Sequence, residues 1–276
     1  MHWTFHSFLH FFIFILLSSI SLSAQEKQVN KHQVFWHKTD LNQIFVNQER
    51  PNSGWGVGMD FVFRTKSTYE SPSMFTELNR LSIRPWVHYQ FSPNARLSLS
   101  PIGLMYTDDY KARASDYNRA PYDERRITLQ FFHHTKEKNP KFMHTWRYRY
   151  EIRWQETADG SYRYFNRFRL RYRLRYVITG KNFYNNNTLY VAVNNEIGIN
   201  IGKNVPYMFN QNRFYLAGGY RFLKAMRVEL RYVDRYRARG SVGNEYDNAR
   251  GLMLTFYVDQ FSLLGSKSVQ DVRFYD

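Results

Sequence analysis

The sequence predicts an all-β protein, an antiparallel up-and-down transmembrane β-barrel of about twelve strands, with about ten as the fallback count. Three observations lead to this prediction. Segments of about nine to thirteen residues alternate apolar and polar side chains, turn residues such as Asp-Gly separate them, and rows of arginine lie opposite rows of aromatic residues. A side-chain period of two is typical of β-strands and excludes helices.

The segment 161–178 has the clearest strand pattern. Its arginines share one parity and therefore one face: Arg167, Arg169, Arg171, Arg173 and Arg175. Its apolar residues take the opposite face: Phe168, Leu170, Tyr172, Leu174 and Tyr176. On a helix, steps of two residues would scatter the arginines around the axis. The segment is therefore predicted to be a strand with one cationic face and one apolar face.

The preceding segment, 142–155, repeats the alternation and is predicted to pair with 161–178 as a hairpin. The connection 157–160 contains Asp-Gly, a strong hairpin turn signal. The charged residues of 142–155 share one parity: Arg147, Arg149, Glu151 and Arg153. Its aromatic residues take the other parity, with Ile152: Trp146, Tyr148, Tyr150 and Trp154.

The two faces of this hairpin require different solvents. An arginine that faces lipid at the bilayer midplane costs roughly 2–4 kcal/mol, so the arginine rows must face water. The aromatic rows can then face acyl chains. Only a closed barrel satisfies the hydrogen bonds of strand edges in lipid, and the sequence therefore favours a barrel over an open sheet.

Five further strands are predicted before this hairpin, at 34–46, 55–63, 80–91, 95–106 and 123–134. Pro85 and Pro101 weaken the pattern of the third and fourth strands locally, because proline removes a ladder donor and is usual only at edges or bulges. From the fourth strand onwards, long and short connections alternate, as in outer-membrane barrels.

Four more strands are predicted after the hairpin, at 189–199, 213–222, 226–236 and 249–261. The pattern therefore supplies eleven strands, whereas single-chain bacterial barrels have even numbers. A twelfth strand is expected within 262–275. The alternative is a barrel of ten strands, if one of the eleven segments does not belong to the barrel.

The N-terminus predicts export. Residues 8–20 are strongly apolar and small residues follow at 21–24, as in a secretory signal peptide. An uncleaved membrane anchor is the alternative, but the run falls short of the ~20 apolar residues that a spanning helix needs. The predicted organisation is a signal peptide at 1–24, a polar leader at 25–33, the outer-membrane barrel at 34–261, and a polar tail or additional strand at 262–276.

Composition alone leaves two classes of protein open. The chain has 39 Lys and Arg against 23 Asp and Glu, and 18% of its residues are aromatic. A nucleic-acid binder and a barrel with a basic lumen and aromatic girdles share such a composition. Export argues against nucleic acid, so the expected location is the outer membrane of a Gram-negative cell. The expected partners are outer-membrane lipid and small anionic solutes.

The arginine rows are the main candidate site. The residues predicted to line the lumen and to bind anions are Arg147, Arg149, Arg153, Arg167, Arg169, Arg171, Arg173 and Arg175. Their predicted counter-charges are Glu151, Glu196, Glu229 and Asp60. Two interpretations remain open: a salt-bridge network that plugs a narrow structural barrel, or a basic lumen that binds or passes anions.

No catalytic residue, metal ligand or cofactor site is predicted. His133 and His134 end the fifth strand, but no motif links them to a nucleophilic serine. The histidines of the mature chain lack metal-ligand spacing, and the chain has no cysteine. An outer-membrane lipid-acting hydrolase is the alternative from another class. A secreted soluble β-barrel binding protein is the further alternative.

Aromatic residues near strand ends predict interfacial girdles. The candidates are Trp36, Trp55, Tyr106, Trp146, Trp154, Tyr164 and Tyr257.

Five motifs follow one another along the chain: PYDERR (121–126), WRYRYEIRW (146–154), RFRLRYRLRY (167–176), NNEIGINIG (194–202) and NRFYLAGGYRF (212–222). Together they resemble the family of bacterial outer-membrane barrels known only as domain of unknown function 2490. The resemblance covers about residues 34–261. It implies an exported barrel of the kind found in Bacteroidota. It implies no catalytic residues, since the family has no established activity.

Overall fold

The computed structural model describes residues 27–46, 53–135, 139–203, 205, 207–239 and 244–261. These contain one short 3-10 helix, Ala114–Asn118, and eleven strands. The strands are β1 (Gln28–Val46), β2 (Gly54–Lys66), β3 (Glu77–Ser92), β4 (Ala95–Thr107), β5 (Tyr122–Thr135), β6 (Phe142–Glu156), β7 (Tyr162–Val177), β8 (Thr188–Ile201), β9 (Phe209–Leu223), β10 (Met226–Ala238) and β11 (Glu245–Val258). The predicted signal peptide and the predicted tail, 262–276, lie outside the described residues.

The eleven strands form one closed barrel in chain order, with β1 paired to β11. The closing pair is parallel, from Gln28 opposite Glu245 to Leu41 opposite Val258, and the other described neighbours are antiparallel. The parallel seam follows from the odd number, because alternating directions leave the first and last strands pointing the same way. The predicted all-β barrel is confirmed, with eleven strands in the wall where about twelve were expected. The even-number expectation assumed an antiparallel closing pair.

Side chains alternate between the inside and the outside of the barrel. In β7, Arg167 and Arg169 are buried, whereas Tyr164 and Tyr176 are exposed. Every strand presents a large apolar side chain on its outer face, for example Phe45, Trp55, Leu81, Leu99, Leu129, Tyr148, Tyr176, Val191, Leu216, Leu230 and Phe256. The exterior is thus apolar and the interior is charged, because the side-chain period of two separates the two sets of residues.

The outer aromatic residues form pairs near both ends of the barrel. Trp55 and Tyr89 lie 4.9 Å apart between ring centroids at one end, and Trp154 and Tyr164 lie 5.8 Å apart at the other. Two residues that the sequence assigned to the girdles face the interior instead: Trp36, which is 0% exposed, and Tyr257, which is 4% exposed. That assignment is wrong because it used position along the strand and ignored parity.

The turn between β6 and β7 has the predicted hairpin chemistry. Gly160 has a φ of 78°, a left-handed conformation that glycine adopts without steric cost. Its N–H donates to the carbonyl of Thr157 at 2.9 Å. This tight turn places the inward arginines of β6 directly opposite those of β7, with Arg149 paired to Arg169.

The prolines lie where strand pairing is irregular. The β3–β4 register is interrupted between Ile83 and Val87, the stretch that contains Pro85. The β4–β5 register is interrupted between Ser100 and Gly103, the stretch that contains Pro101. Bulges of this kind accommodate a residue that lacks a ladder donor, so the strands continue past both prolines.

We call the end of the barrel at which β1 begins the first mouth, and the opposite end the second mouth. The connections 67–76, 108–121 and 157–161 lie at the first mouth, and 93–94, 178–187 and 224–225 lie at the second. β1 begins at Gln28, within the segment predicted as polar leader (25–33), because its ladder with β11 starts there. Among the described residues, no helix is long and apolar enough to cross a membrane.

Candidate functional site: the charged interior

Each inward-facing glutamate contacts several arginines, and Glu151 on β6 is the clearest case. Its carboxylate accepts hydrogen bonds from Arg167 Nε at 2.5 Å and from Arg169 Nη1 at 3.2 Å. Arg126 Nη1 and Arg149 Nη1 lie 3.7 and 3.8 Å away. Glu151 is 0% exposed, and an isolated buried carboxylate costs several kcal/mol. The surrounding guanidinium groups offset that cost.

Glu196 on β8 extends this network around the barrel. It accepts a hydrogen bond from Arg169 Nε at 2.9 Å, lies 3.4 Å from Arg213 Nη1, and pairs with Arg147. Arg169 therefore bridges Glu151 and Glu196. One continuous set of ion pairs joins β6, β7, β8 and β9.

Glu229 on β10 holds a second set of cations. Arg173 Nη2 donates to it at 2.5 Å, Arg231 Nε at 2.8 Å and Arg227 Nη1 at 3.1 Å. The Tyr190 hydroxyl donates to the same carboxylate at 2.7 Å. Glu229 and Arg173 are both fully buried.

Glu124 on β5 belongs to the same arrangement, although the sequence analysis did not include it. Arg126 Nη2 and Arg153 Nη2 donate to it at 2.9 and 2.8 Å, and the Nε of each arginine also contacts the carboxylate. The sequence could have indicated it, because Glu124 precedes the inward Arg126 by two positions and therefore lies on the same face of the strand. We call Glu124, Glu151, Glu196 and Glu229 with their arginines the glutamate cluster.

Asp60 on β2 is a buried counter-charge whose hydrogen-bond partners lie on β3. Arg84 binds it through two hydrogen bonds of 2.9 Å, and the Trp86 indole N–H donates at 3.0 Å. Asp60 thus neutralises Arg84 on β3, while six arginines of β6 and β7 pair with the glutamate cluster.

The eight predicted arginines all lie inside the barrel, but their surroundings differ. Six have ion pairs with the glutamate cluster: Arg147, Arg149, Arg153, Arg167, Arg169 and Arg173. Arg171 lies 5.9 Å from the Phe132 ring centroid and has no ion pair with a described carboxylate. Arg175 lies over the Phe183 ring at 4.6 Å. Their role in binding anions stays a prediction.

Cations outnumber carboxylates among the buried residues that the structure describes. Seventeen arginines and one lysine are buried, against ten aspartates and glutamates. The carboxylates therefore cannot neutralise every buried guanidinium one to one. The remaining charge must meet aromatic faces, water or a bound anion.

Part of this surplus charge surrounds Trp36 on β1. The guanidinium of Arg64 lies 4.1 Å from its ring centroid, and those of Arg235 and Arg213 lie 5.2 and 5.8 Å away. Arg235 also donates to the Tyr110 hydroxyl at 2.6 Å. We call Trp36, Tyr110, Arg64 and Arg235 the aromatic cluster. Cation–π contacts stabilise these arginines by about 0.5–2 kcal/mol each but leave their charge uncompensated.

Connection 108–121 folds into the first mouth. Tyr110 is 1% exposed and stacks on His32 with 4.4 Å between ring centroids. Lys66 Nζ holds Asp108 at 2.8 Å, and Asp116 pairs with Arg239. The loop is therefore tied to β2 and to the end of β10.

Two carboxylates of this loop carry shifted pKa values. Burial opposes the charge of Asp116, but hydrogen bonds from Arg239 and from the N–H groups of Ala112 and Arg113 outweigh it and lower the pKa of the carboxyl. Burial likewise opposes the charge of Asp109, and the facing Arg237, at 3.0 Å, lowers the pKa of that carboxyl. Both aspartates are thus held as anions at neutral pH.

Connection 178–187 closes the second mouth in a different way. Phe183 is 2% exposed and lies beneath three guanidinium groups. Those of Arg175, Arg221 and Arg227 are 4.6, 4.8 and 5.6 Å from its ring centroid. An aromatic side chain therefore enters the barrel from a loop at each mouth.

Described residues line two cavities inside the barrel. A central cavity of about 100 Å³ lies between Trp86, Phe132 and the arginines of the glutamate cluster. It has room for roughly three waters, at about 30 Å³ each. A cavity of about 360 Å³ opens at the first mouth. Arg80, Arg167 and Arg213 line both cavities, so the two are adjacent.

The family described as protein of unknown function (DUF2490) matches residues 35–246. The chain belongs to this family. No curated protein and no solved structure matches it. The DUF2490 match runs from β1 to the start of β11 and therefore contains the whole glutamate cluster.

In this DUF2490 barrel, the two adjacent histidines of β5 do not act as a pair. His134 faces inward, with its Nδ1 2.9 Å from Thr145 Oγ1, whereas His133 is exposed on the outer face. The strand period separates them. The described residues also contain no group of three or more His, Asp or Glu side chains arranged to hold a metal ion.

A hydrogen-bonded Ser-His-Asn relay was not found from the sequence. His88 Nδ1 lies 2.8 Å from Ser98 Oγ, and His88 Nε2 lies 3.0 Å from Asn42 Oδ1. Gly58 lies between His88 and Asn42, where a Cβ would come within 2.7 Å of His88 Nε2. The three residues come from β1, β3 and β4, so no local motif could indicate them.

Proposed function

We propose that this chain is a non-enzymatic β-barrel of the Gram-negative outer membrane, with a structural role and an interior closed by its own ion pairs. One observation carries the proposal: each of the eleven strands has large apolar side chains on its exposed face, while most of the buried inward side chains are polar or charged. Soluble monomers rarely expose contiguous apolar patches larger than a few hundred Å². An apolar surface around a complete barrel matches acyl chains as its solvent.

The aromatic pairs near both ends support the same assignment. Trp55 with Tyr89 and Phe142 with Tyr176 lie near the second mouth, and Trp154 with Tyr164 lies near the first. Girdles at two levels fit the two interfaces of a bilayer. The signal-peptide pattern at 1–24 adds the expectation of export.

Three features favour a closed interior over an anion pore. Ion pairs of the glutamate cluster join inward side chains of β5 to β10, and the central cavity measures only about 100 Å³. Tyr110 and Phe183 enter from the two mouths. A conducting pore needs a wide, continuous aqueous path, whereas ion-paired and aromatic side chains occupy much of this interior.

The soluble binding barrel is disfavoured by the interior. Such a protein would need apolar walls around an internal ligand cavity. Here seventeen arginines are buried among the described residues, and large apolar side chains point outward. A water-soluble form of this barrel would have both faces in the wrong solvent.

The test combines detergent gels with planar-bilayer recordings on the refolded mature chain. We expect the unboiled and boiled protein to migrate differently, and we expect inserted protein to give no conductance above the bare bilayer. Phe183→Ala removes the aromatic side chain at the second mouth. This variant should also give no conductance, because the glutamate cluster remains. A porin of known conductance controls for insertion.

Each outcome has a distinct meaning. Anion-selective conductance steps from the wild-type chain would reject the closed interior and support a narrow pore. A monomer that stays folded in buffer without detergent would reject the membrane assignment. Recovery of the native protein in a fraction other than the outer membrane would reject the location.

The hydrolase alternative now depends on a specific observation, the relay of Ser98, His88 and Asn42. Ser98 is 1% exposed, and the histidine presents Nδ1 to the serine, the reverse of the arrangement in known serine triads. We therefore expect no phospholipid hydrolysis in mixed micelles. Activity that Ser98→Ala abolishes, and that Ser100→Ala on the same inward face retains, would establish the hydrolase instead.

A further inference from the structure

We propose that the cavity at the first mouth is a binding site for a small organic anion that carries a phosphate or sulfate group. The cavity has a volume of about 360 Å³ and is lined by the first-mouth ends of β3 and of β5 to β10, by connection 108–121, and by Val205 and Tyr207. This inference rests on the lining residues and holds whether or not the barrel conducts ions.

The lining is strongly cationic. Nine arginines contribute to it: Arg80, Arg119, Arg153, Arg163, Arg167, Arg213, Arg235, Arg237 and Arg239. Asp109 is the one carboxylate among the described lining residues. Clefts lined by one sign of charge concentrate ions of the opposite sign, so this mouth attracts anions.

Two of these arginines have no carboxylate partner among the described residues. Arg80 Nε donates to the Thr107 hydroxyl at 3.1 Å, and Arg235 Nη2 donates to the Tyr110 hydroxyl at 2.6 Å. A hydroxyl group accepts the hydrogen bond from the arginine but does not neutralise the charge of its guanidinium group. Arg80 and Arg235 are therefore the groups that a bound anion would neutralise.

Side chains that line the cavity also carry buried donors without an acceptor. Arg213 Nε, Arg235 Nε and Gln211 Nε2 are buried and make no hydrogen bond to the residues that the structure describes. Buried donors are usually satisfied, because a buried donor without an acceptor destabilises the folded state. A phosphate or sulfate group supplies several acceptor oxygens at once, and guanidinium groups bind such oxygens in pairs.

The size and the remaining lining point to an organic ligand and not to inorganic phosphate. Small-molecule sites begin at about 300 Å³, which is close to the volume of this cavity. Tyr122, Phe165, Tyr207 and Phe209 supply aromatic surface beside the arginines. An anion with a sugar-sized body would place its charge on the arginines and its ring on these side chains.

The source of the anion is expected to be soluble and not a lipid headgroup. The cavity is lined by inward side chains such as Gln211 and Arg213, which are 1% and 5% exposed. A lipid whose acyl chains pack on the outer face would have to extend its headgroup over the rim to reach them.

The experiment measures binding of glucose 1-phosphate to the full mature chain refolded in a nonionic detergent, by calorimetry and by the shift in thermal midpoint. Glucose tests whether binding requires the phosphate group of the ligand. Inorganic phosphate tests whether binding requires the sugar ring. Mixed micelles that contain phosphatidylglycerol test the lipid source. We expect glucose 1-phosphate to bind and to stabilise the fold, as any ligand that prefers the native state does.

Arg80→Gln and Arg235→Gln together should weaken that binding by at least about tenfold. Neither substitution leaves a described carboxylate without its cation, so the double variant should still fold. Arg125→Gln is the matched control, because Arg125 is exposed on the outer face of β5 near the same mouth. It should bind like the wild type.

Four results would overturn the inference. They are no binding to the wild type, equal binding to the double variant, equal affinity for inorganic phosphate, and displacement by phosphatidylglycerol. Equal binding to the double variant would indicate attraction by the overall net charge of +16. None of these results bears on the gel and conductance tests of the membrane assignment.

Discussion

The glutamate cluster and the aromatic cluster show two ways to bury arginine in one barrel. In the first, a single carboxylate such as Glu151 serves up to four guanidinium groups. In the second, Arg64 and Arg235 lie against the Trp36 ring and contact no described carboxylate. Charge is compensated in one region and only screened in the other.

The two arrangements differ in what a mutation would leave behind. Removing a glutamate leaves several buried cations unpaired, whereas removing a surplus arginine relieves repulsion between like charges. The glutamate cluster should therefore determine whether the barrel folds, whereas Tyr110 and Arg235 of the aromatic cluster line the proposed anion site. Substitutions that change one charge and little volume can separate these roles.

Glu151→Gln should have the largest effect. It keeps the shape of the side chain but removes the charge that Arg167 and Arg169 contact at 2.5 and 3.2 Å. Breaking a buried ion pair by removal of one partner costs about 3–5 kcal/mol, so the variant should unfold at much lower urea or fail to refold in detergent.

The matched control for this change is Asp123→Asn on the exposed outer face of β5. Surface substitutions usually change stability by less than about 0.5 kcal/mol. Equal stability of Glu151→Gln and Asp123→Asn would contradict the view that the glutamate cluster holds the barrel together.

Arg173→Gln and Arg171→Gln provide the next test, on two inward positions of the same strand. Arg173 donates to Glu229 at 2.5 Å, whereas Arg171 has no described carboxylate partner. Losing a hydrogen bond to a charged group costs about 1.5–3 kcal/mol, so Arg173→Gln should destabilise the barrel. Arg171→Gln should be neutral or stabilising in the same urea titration.

Similar losses in both variants would mean that packing, and not charge pairing, governs the arginine row of β7. Glu229 still retains Arg227 and Arg231 when Arg173 is removed. The loss expected for Arg173→Gln is therefore smaller than that for Glu151→Gln.

Much of the glutamate cluster follows from parity within single strands. The rows of β6 and β7, with Glu151 between them, are visible in the sequence because a strand period of two fixes each face. The Asp-Gly turn then sets the register between the two strands. Glu124 was accessible by the same reasoning, since it shares the parity of Arg126.

The aromatic cluster could not be derived in this way. Tyr110 comes from a loop, and its contact with Arg235 joins residues 125 positions apart. Trp36 reaches β10 through the parallel seam of β1 and β11, which only the odd strand count creates. The relay of Ser98, His88 and Asn42 depends on Gly58 on the intervening strand. Such contacts depend on three-dimensional closure and leave no local pattern.

The smallest expected effect concerns the loop that carries Tyr110 to the aromatic cluster. Asp116 accepts hydrogen bonds from the N–H groups of Ala112 and Arg113 at 2.9 and 3.1 Å and pairs with Arg239. These partners outweigh the effect of burial and lower the pKa of Asp116. A carboxyl whose pKa is lower in the folded state stabilises the fold fully above its unfolded pKa, about 3.9 for aspartate. That contribution is lost as pH falls through the folded pKa.

Hydrogen exchange at the amides of Ala112 and Arg113 should therefore show weaker protection below about pH 4 than at neutral pH, after correction for intrinsic exchange. Asp116→Asn should lower their protection already at neutral pH and remove the pH dependence. Amides in the centre of β7 serve as the internal control, because they lie in the ladders with β6 and β8 and far from this loop. If the loop amides keep full protection in Asp116→Asn, the loop is held by Tyr110 packing and not by the Asp116 ion pair. The position of Tyr110 in the aromatic cluster would then not depend on pH through Asp116. The two regions would differ only in how the charge of their arginines is compensated.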